Sequence, residues 1–226
     1  MKANQKKQQL AKKVLQKLKT QFKNVDCTLT HFSPFQLLIA TILSAQCTDK
    51  RVNQVTPSLF SRFPTPLSFK EASLESIETA IRSTGFYHNK AKNIQQLSCQ
   101  LLERFNGEVP NKMEDLISLP GVGRKTANVV LGNAFGIKSG FVVDTHVSRL
   151  SQRIGLTDQT TPEKIEMDLM EIFPENEWID MSHRLILLGR ENCKAMKPVC
   201  ESCILSDCCQ KRLHFRAKTN NGFPPQ

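Results

Sequence analysis

Apolar positions return every three or four residues along most of this chain, the spacing expected of helices with one buried face. Leu10, Val14 and Leu18, joined by Leu15 and Phe22, predict an amphipathic first helix. Phe35 to Leu43 is apolar nearly all round and predicts a buried helix, for which Ser33 and Pro34 make a good start. Ala91, Ile94, Leu97, Leu101 and Phe105 set a helix over 89–105 that Asn106-Gly107 ends. Met113, Leu116 and Ile117, then Ala127, Val130, Leu131 and Ala134, keep helical spacing on either side of Leu119 to Gly123, so a tight turn joins two helices there. Pro162 to Ile172 and Trp178 to Leu188 predict two more. Gly140 to Val143 is the one stretch that tempts as a strand, and no internal repeat is visible. The fold class expected is all-α, with an aperiodic, loosely ordered tail from Arg212 to Gln226.

Composition adds a partner and a compartment. The 226 residues can bury a good core as one large domain or two small ones. Net charge is +10, and residues 1–23 carry eight lysines and no acid, which favours a polyanion over a merely solvated helix once a nucleic-acid motif is present. No apolar run reaches the roughly 18 residues of a membrane span, and the lysines at the start are not followed by a signal-peptide core. A cytoplasmic, nucleoid-associated monomer is the expectation. Eight cysteines in such a chain point to a metal or cluster rather than to disulfides. Cys27, Cys47 and Cys99 read as ordinary buried thiols, whereas Cys193, Cys200, Cys203, Cys208 and Cys209 fall within seventeen residues.

The candidate chemistry centres on Leu119-Pro120-Gly121-Val122-Gly123-Arg124-Lys125-Thr126-Ala127-Asn128, with Asp144 nineteen residues after Lys125 in Val-Val-Asp-Thr-His. This is a helix-hairpin-helix. Gly121 and Gly123, flanking Val122, are expected to let the backbone turn sharply and leave amides bare beside a helix N-terminus, a setting suited to a phosphate. Lys125 at the helix start could serve as a phosphate contact or as an amine nucleophile. Asp144 could be a helix N-cap, a catalytic carboxylate, or both, and His146 reads as structural or DNA-facing.

These residues resemble the helix-hairpin-helix DNA glycosylase superfamily, and the lysine and aspartate place the chain beside its endonuclease III branch. Leu43-Ser44-Ala45-Gln46-Cys47-Thr48-Asp49, Gly85-Phe86-Tyr87, Asn106-Gly107-Glu108-Val109-Pro110 and the late cysteines follow in the family's order. The resemblance implies a six-helix barrel over 25–137, packed against an iron-sulfur domain built from 1–24 and 138–226, with DNA in the cleft between them. It implies Lys125 as the nucleophile on C1′ and Asp144 as the group that moves protons and stabilises the sugar cation. A lysine is almost wholly protonated at pH 7, so such a site must favour the neutral amine, for which the helix N-terminus, Arg124 and desolvation are the available causes.

Cys193-x6-Cys200-x2-Cys203-x5-Cys209 supplies four thiolates, which by chemistry alone suit zinc or iron-sulfur. The family spacing implies a structural [4Fe-4S] cluster on those four, with Cys208 the departure. Lys194 and Lys197, between the first two ligands, are expected phosphate contacts. A base inside a duplex is out of reach, so the nucleotide must flip out and the gap be filled. The resemblance puts Gln46 in the vacated position and Phe86, where relatives commonly have leucine, as a wedge; otherwise they read as a helix-terminal polar residue and a core aromatic. The implied activity is that of a bifunctional glycosylase and abasic-site lyase, acting on oxidised pyrimidines or abasic sites in double-stranded DNA. Rivals are an adenine glycosylase and a non-catalytic DNA-binding redox protein.

Overall fold

The computed structural model describes residues 2–213, so the tail expected to be loosely ordered lies, from His214 on, outside the described residues. Eleven α-helices run among them: α1 (Lys2–Gln21), α2 (Pro34–Leu43), α3 (Asp49–Arg62), α4 (Pro66–Glu71), α5 (Leu74–Ile81), α6 (Tyr87–Phe105), α7 (Met113–Ile117), α8 (Arg124–Phe135), α9 (Thr145–Ile154), α10 (Pro162–Ile172) and α11 (Trp178–Glu191). Two short 3-10 turns, Arg82–Thr84 and Glu175–Glu177, complete the regular structure. No strand occurs among the described residues. Gly140 to Val143, tempting as a strand, is a connector: the Val142 N–H donates to Ser182 Oγ at 3.1 Å instead of to a neighbouring strand. Its apolar run reflects burial on all sides, since Phe141, Val142 and Val143 all sit in the interior.

The chain divides into two compact units, Cys27–Ser139 and Met1–Asp26 with Gly140–Gln226. In the first, α2 is buried at every position from Leu37 to Leu43, as its all-round apolarity requires. Ser33 caps it, with Oγ accepting the Gln36 N–H at 3.2 Å, and Pro34 opens it. Leu37, Leu38, Ile39, Leu43, Leu59, Phe69, Ile77, Ile81, Ile94 and Leu97 are wholly enclosed around it. Helices α3 to α5 were not apparent in the apolar pattern. Helix α3 is mostly polar and carries Pro57 inside it, while α4 has six residues; both are set by caps, Thr48 on the Arg51 N–H and a Thr65–Ser68 capping box. Val52, Val55 and Leu59 nonetheless keep a buried stripe at helical spacing.

In the second unit, Ala11, Val14 and Leu18 of α1 are fully buried, with Val147, Leu150, Leu169, Met181 and Leu185 from α9 to α11 in the same core. The buried Arg184 donates to the Phe22 carbonyl at 3.2 Å and to Glu177 Oε2 at 3.3 Å, and Lys19 pairs with the other oxygen of Glu177. The arginine thus ties the end of α1 to α11 without leaving a buried charge unpaired.

Candidate functional site

The hairpin lies in the Cys27–Ser139 unit. Helix α7 ends at Ile117, the Val122 N–H donates to the Leu119 carbonyl at 3.1 Å, and α8 starts at Arg124. Its two glycines do different work. Gly121 has φ +77°, and a Cβ there would sit 3.0 Å from Asn93 Nδ2 and 3.1 Å from Asn93 Cβ, so both backbone and space demand glycine. Gly123 has φ −94° and ψ 174°, ordinary extended backbone, with nothing within 4 Å of a Cβ. The expectation that both glycines serve the turn is therefore corrected: only Gly121 does, whereas Gly123 keeps the approach to the helix open. No side chain caps α8 at Gly123, as at the helix starts that bind anions. Val122 is buried as the anchor of the turn, and Arg124 and Lys125 are exposed on the first turn of α8.

Gln46 and Phe86 are in the same unit and share a conformation. Each is a non-glycine residue in the left-handed region, at φ 53° and 49°, within three residues of the close of a helical segment. Both are exposed, Phe86 by 63 %, which excludes the reading of Phe86 as a core aromatic. An unpartnered phenyl ring and a strained backbone at loop tips are features that a functional demand maintains more readily than packing does.

Lys90, which the apolar pattern did not single out, is the buried cation of this region. It is 5 % exposed and its Nζ donates to the carbonyls of Leu43, at 2.8 Å, and Thr84, at 2.9 Å. Burial lowers its pKa, with the Cys47 thiol acting in the opposite direction. The sequence carried a signal for it, because Lys90, Ile94, Leu97 and Leu101 share one face of α6.

Asp144 and the late cysteines belong to the other unit. Asp144 is the N-cap of α9: its Oδ1 accepts the Val147 N–H at 2.8 Å, which leaves Oδ2 outside the cap. That bond fixes the carboxylate's orientation. His146 packs so closely on α11 that a Cβ at Gly189 would lie 2.8 Å from its Nδ1, and burial lowers its pKa foremost, so its place is structural.

Cys193, Cys200, Cys203 and Cys209 line a single cavity with Leu150, Ile154, Leu188 and Leu205. Cys208 is not among its lining residues, and its thiol instead donates to the Leu205 carbonyl at 3.7 Å. Among the described residues no three side chains close tightly enough to grip a single metal ion. The donor set fits a larger thiolate-bound group: four sulfurs around one apolar-walled space, with Arg153 Nη1 3.6 Å from Cys193 Sγ. Burial raises the pKa of the Cys203 and Cys209 thiols. Arg153 also donates to the carbonyls of Lys194 and Ala195, both at 2.8 Å, which holds the loop on which Lys194, Met196 and Lys197 are exposed. Its spacing with Leu150 and Ile154 on α9 was the only hint of that role in the sequence.

Against known proteins, residues 39–175 match the model of the HhH-GPD superfamily of base excision DNA repair proteins. The chain is 52 % identical over 203 residues to endonuclease III of Synechocystis, covering 90 % of this chain and 93 % of that one. It is 45 % identical over 182 residues to endonuclease III of Escherichia coli K12, covering 80 % and 86 %. Among solved structures, a trapped endonuclease III–DNA covalent intermediate superposes with a TM-score of 0.87 at 46 % identity, over 90 % of this chain and 96 % of that one. A thermostable thymine-DNA glycosylase shares the fold at 21 % identity, with a TM-score of 0.80. With identity of this extent over 80–90 % of its length, the chain belongs to the endonuclease III family of helix-hairpin-helix base excision repair enzymes.

Proposed function

We infer that this member of the family is a bifunctional DNA glycosylase and abasic-site lyase that removes oxidised pyrimidines from duplex DNA. The observation that carries the reading is an exposed lysine on the first turn of α8, beside uncapped amides and an open glycine, in a chain of endonuclease III identity. The amides of the hairpin and Arg124 take a phosphate. The neutral amine of Lys125 attacks C1′ of the damaged nucleotide, and the C1′–N bond breaks with its electron pair leaving on the base. Asp144, held by its cap through Oδ1, offers Oδ2 to the positive charge that develops on the sugar and accepts the proton lost by the lysine nitrogen. Ring opening gives a Schiff base on Lys125. Loss of a C2′ proton then expels the 3′ phosphate, and water releases the unsaturated sugar aldehyde.

Gln46 and Phe86 fill the gap left by the flipped nucleotide, the amide towards the orphaned partner base and the ring into the stack. Cys193, Cys200, Cys203 and Cys209 would hold a [4Fe-4S] cluster, whose iron would take the four thiolates as ligands and so fix the loop that presents Lys194 and Lys197 to the backbone. Barrel and cluster domains correspond in this reading to 25–137 and to 1–24 with 138–226.

Asp144→Asn tests the division of labour at the carboxylate. Asparagine caps a helix as well as aspartate does, so α9 and the melting temperature should persist. Excision of thymine glycol should fall about 100-fold or more under single-turnover conditions. Full activity in the variant would remove Asp144 from the chemistry.

A further inference from the structure

We propose that Lys90 is a positioning residue that sets the spacing of the two DNA-plugging loops, acting through its two carbonyl bonds and not by touching DNA. This rests on the reading that Gln46 and Phe86 enter the duplex. The Leu43 carbonyl belongs to the last residue of α2, three residues before Gln46; the Thr84 carbonyl closes the 3-10 turn two residues before Phe86. Carbonyls at helical C-termini have no partner within their own helix and carry partial negative charge, so a cation is the favoured cap. One ammonium caps both segments at once, across 47 residues in one case and six in the other.

The geometry of a buried lysine makes that tie narrow. Two bonds of 2.8 and 2.9 Å to one nitrogen hold the two carbonyl oxygens within a few ångströms of each other. Each carbonyl lies shortly before a left-handed residue, Gln46 three residues after Leu43 and Phe86 two residues after Thr84, whose conformation is maintained only where its flanks are held. Lys90 itself emerges from the first turn of α6, and its backbone N–H donates to the Phe86 carbonyl at 3.1 Å, so the same residue grips the wedge loop at main chain and side chain. At 5 % exposure it cannot serve as a phosphate contact. Without the ammonium, the two loops would keep their sequences and lose their common reference point.

The test is a mutant cycle read by single-turnover excision from thymine-glycol duplex. Lys90→Met, which keeps the length of the side chain and removes the charge, should slow excision by about tenfold or more in the otherwise unaltered protein. In a Gln46→Ala, Phe86→Ala background the same substitution should change the rate by less than about twofold, because there is no plug left to aim. Lys90→Arg, which can donate to both carbonyls, should restore most of the rate. Hydrogen exchange on the free protein should show protection lost at 44–47 and 84–87 and kept in the core of α6. Equal Lys90→Met losses in both backgrounds, or no loss in the unaltered one, overturn the proposal. If the double alanine variant instead processes duplex as the unaltered protein does, it is the plugging reading that fails. Should Lys90→Met not fold, Lys90→Gln, which retains one amide donor, is carried through the same cycle with the same criteria.

Discussion

At the scale of single residues, the hairpin separates what glycine does for a fold from what it does for a ligand. Gly121→Ala forces a Cβ into Asn93 on a left-handed backbone and should destabilise the protein by about 1–3 kcal/mol, read from urea unfolding. Gly123→Ala meets nothing, so stability should stay within about 0.5 kcal/mol while affinity for duplex DNA falls. Equal stabilities for the two variants would contradict the distinction. From sequence the two positions looked alike, because a Gly-Val-Gly triplet records neither φ nor neighbours. Lys125, Asp144 and the four cavity-lining cysteines could be named from motif spacing. Exposure of Phe86 could not, since an aromatic after a glycine fits a core as well as a loop tip. Lys90 is barely legible in the sequence for a related reason: charge normally marks a solvated position, and here it marks two carbonyls that burial would otherwise leave without a donor.

Among the elements, helices with a strong apolar stripe were legible, and those held mainly by caps and neighbours were not. Helix α2 follows from its composition alone, whereas α3 to α5 depend on Thr48, Thr65 and Ser73 as N-caps, and Pro57 within α3 hides its periodicity. The cysteine loop and the choice of Cys209 over its neighbour Cys208 follow from the family spacing, and Cys209, unlike Cys208, lines the cavity. Cys209→Ser should therefore lower iron and sulfide content well below the about four of each per chain expected of an intact cluster, and Cys208→Ser should leave it near that value. Iron, sulfide and zinc analysis of anaerobically purified proteins decides this, and zinc alone in the unaltered protein would overturn the assignment.

For the molecule as a whole, the half-buried histidines of the Met1–Asp26 and Gly140–Gln226 unit set a direction for stability against pH. Burial, ahead of all other causes, lowers the pKa of His183, and the same holds for His146. A base whose folded pKa lies below its unfolded value of about 6.5 takes up its proton more readily when unfolded. Stability is thus fully present above that pH and declines as pH falls through 6.5 towards the folded pKa. The melting temperature should drop over this window, and His183→Gln should flatten part of the slope; an unchanged slope would show that the histidine is not its source.

The account's central claim is covalent chemistry at Lys125, and borohydride trapping on a duplex bearing one thymine glycol tests it most directly. The unaltered protein should form a stable protein–DNA adduct, and Lys125→Ala should bind the same duplex without forming one. Trapping by the alanine variant would move the nucleophile elsewhere, and absence of an adduct from both proteins on bound duplex would contradict the lyase mechanism itself.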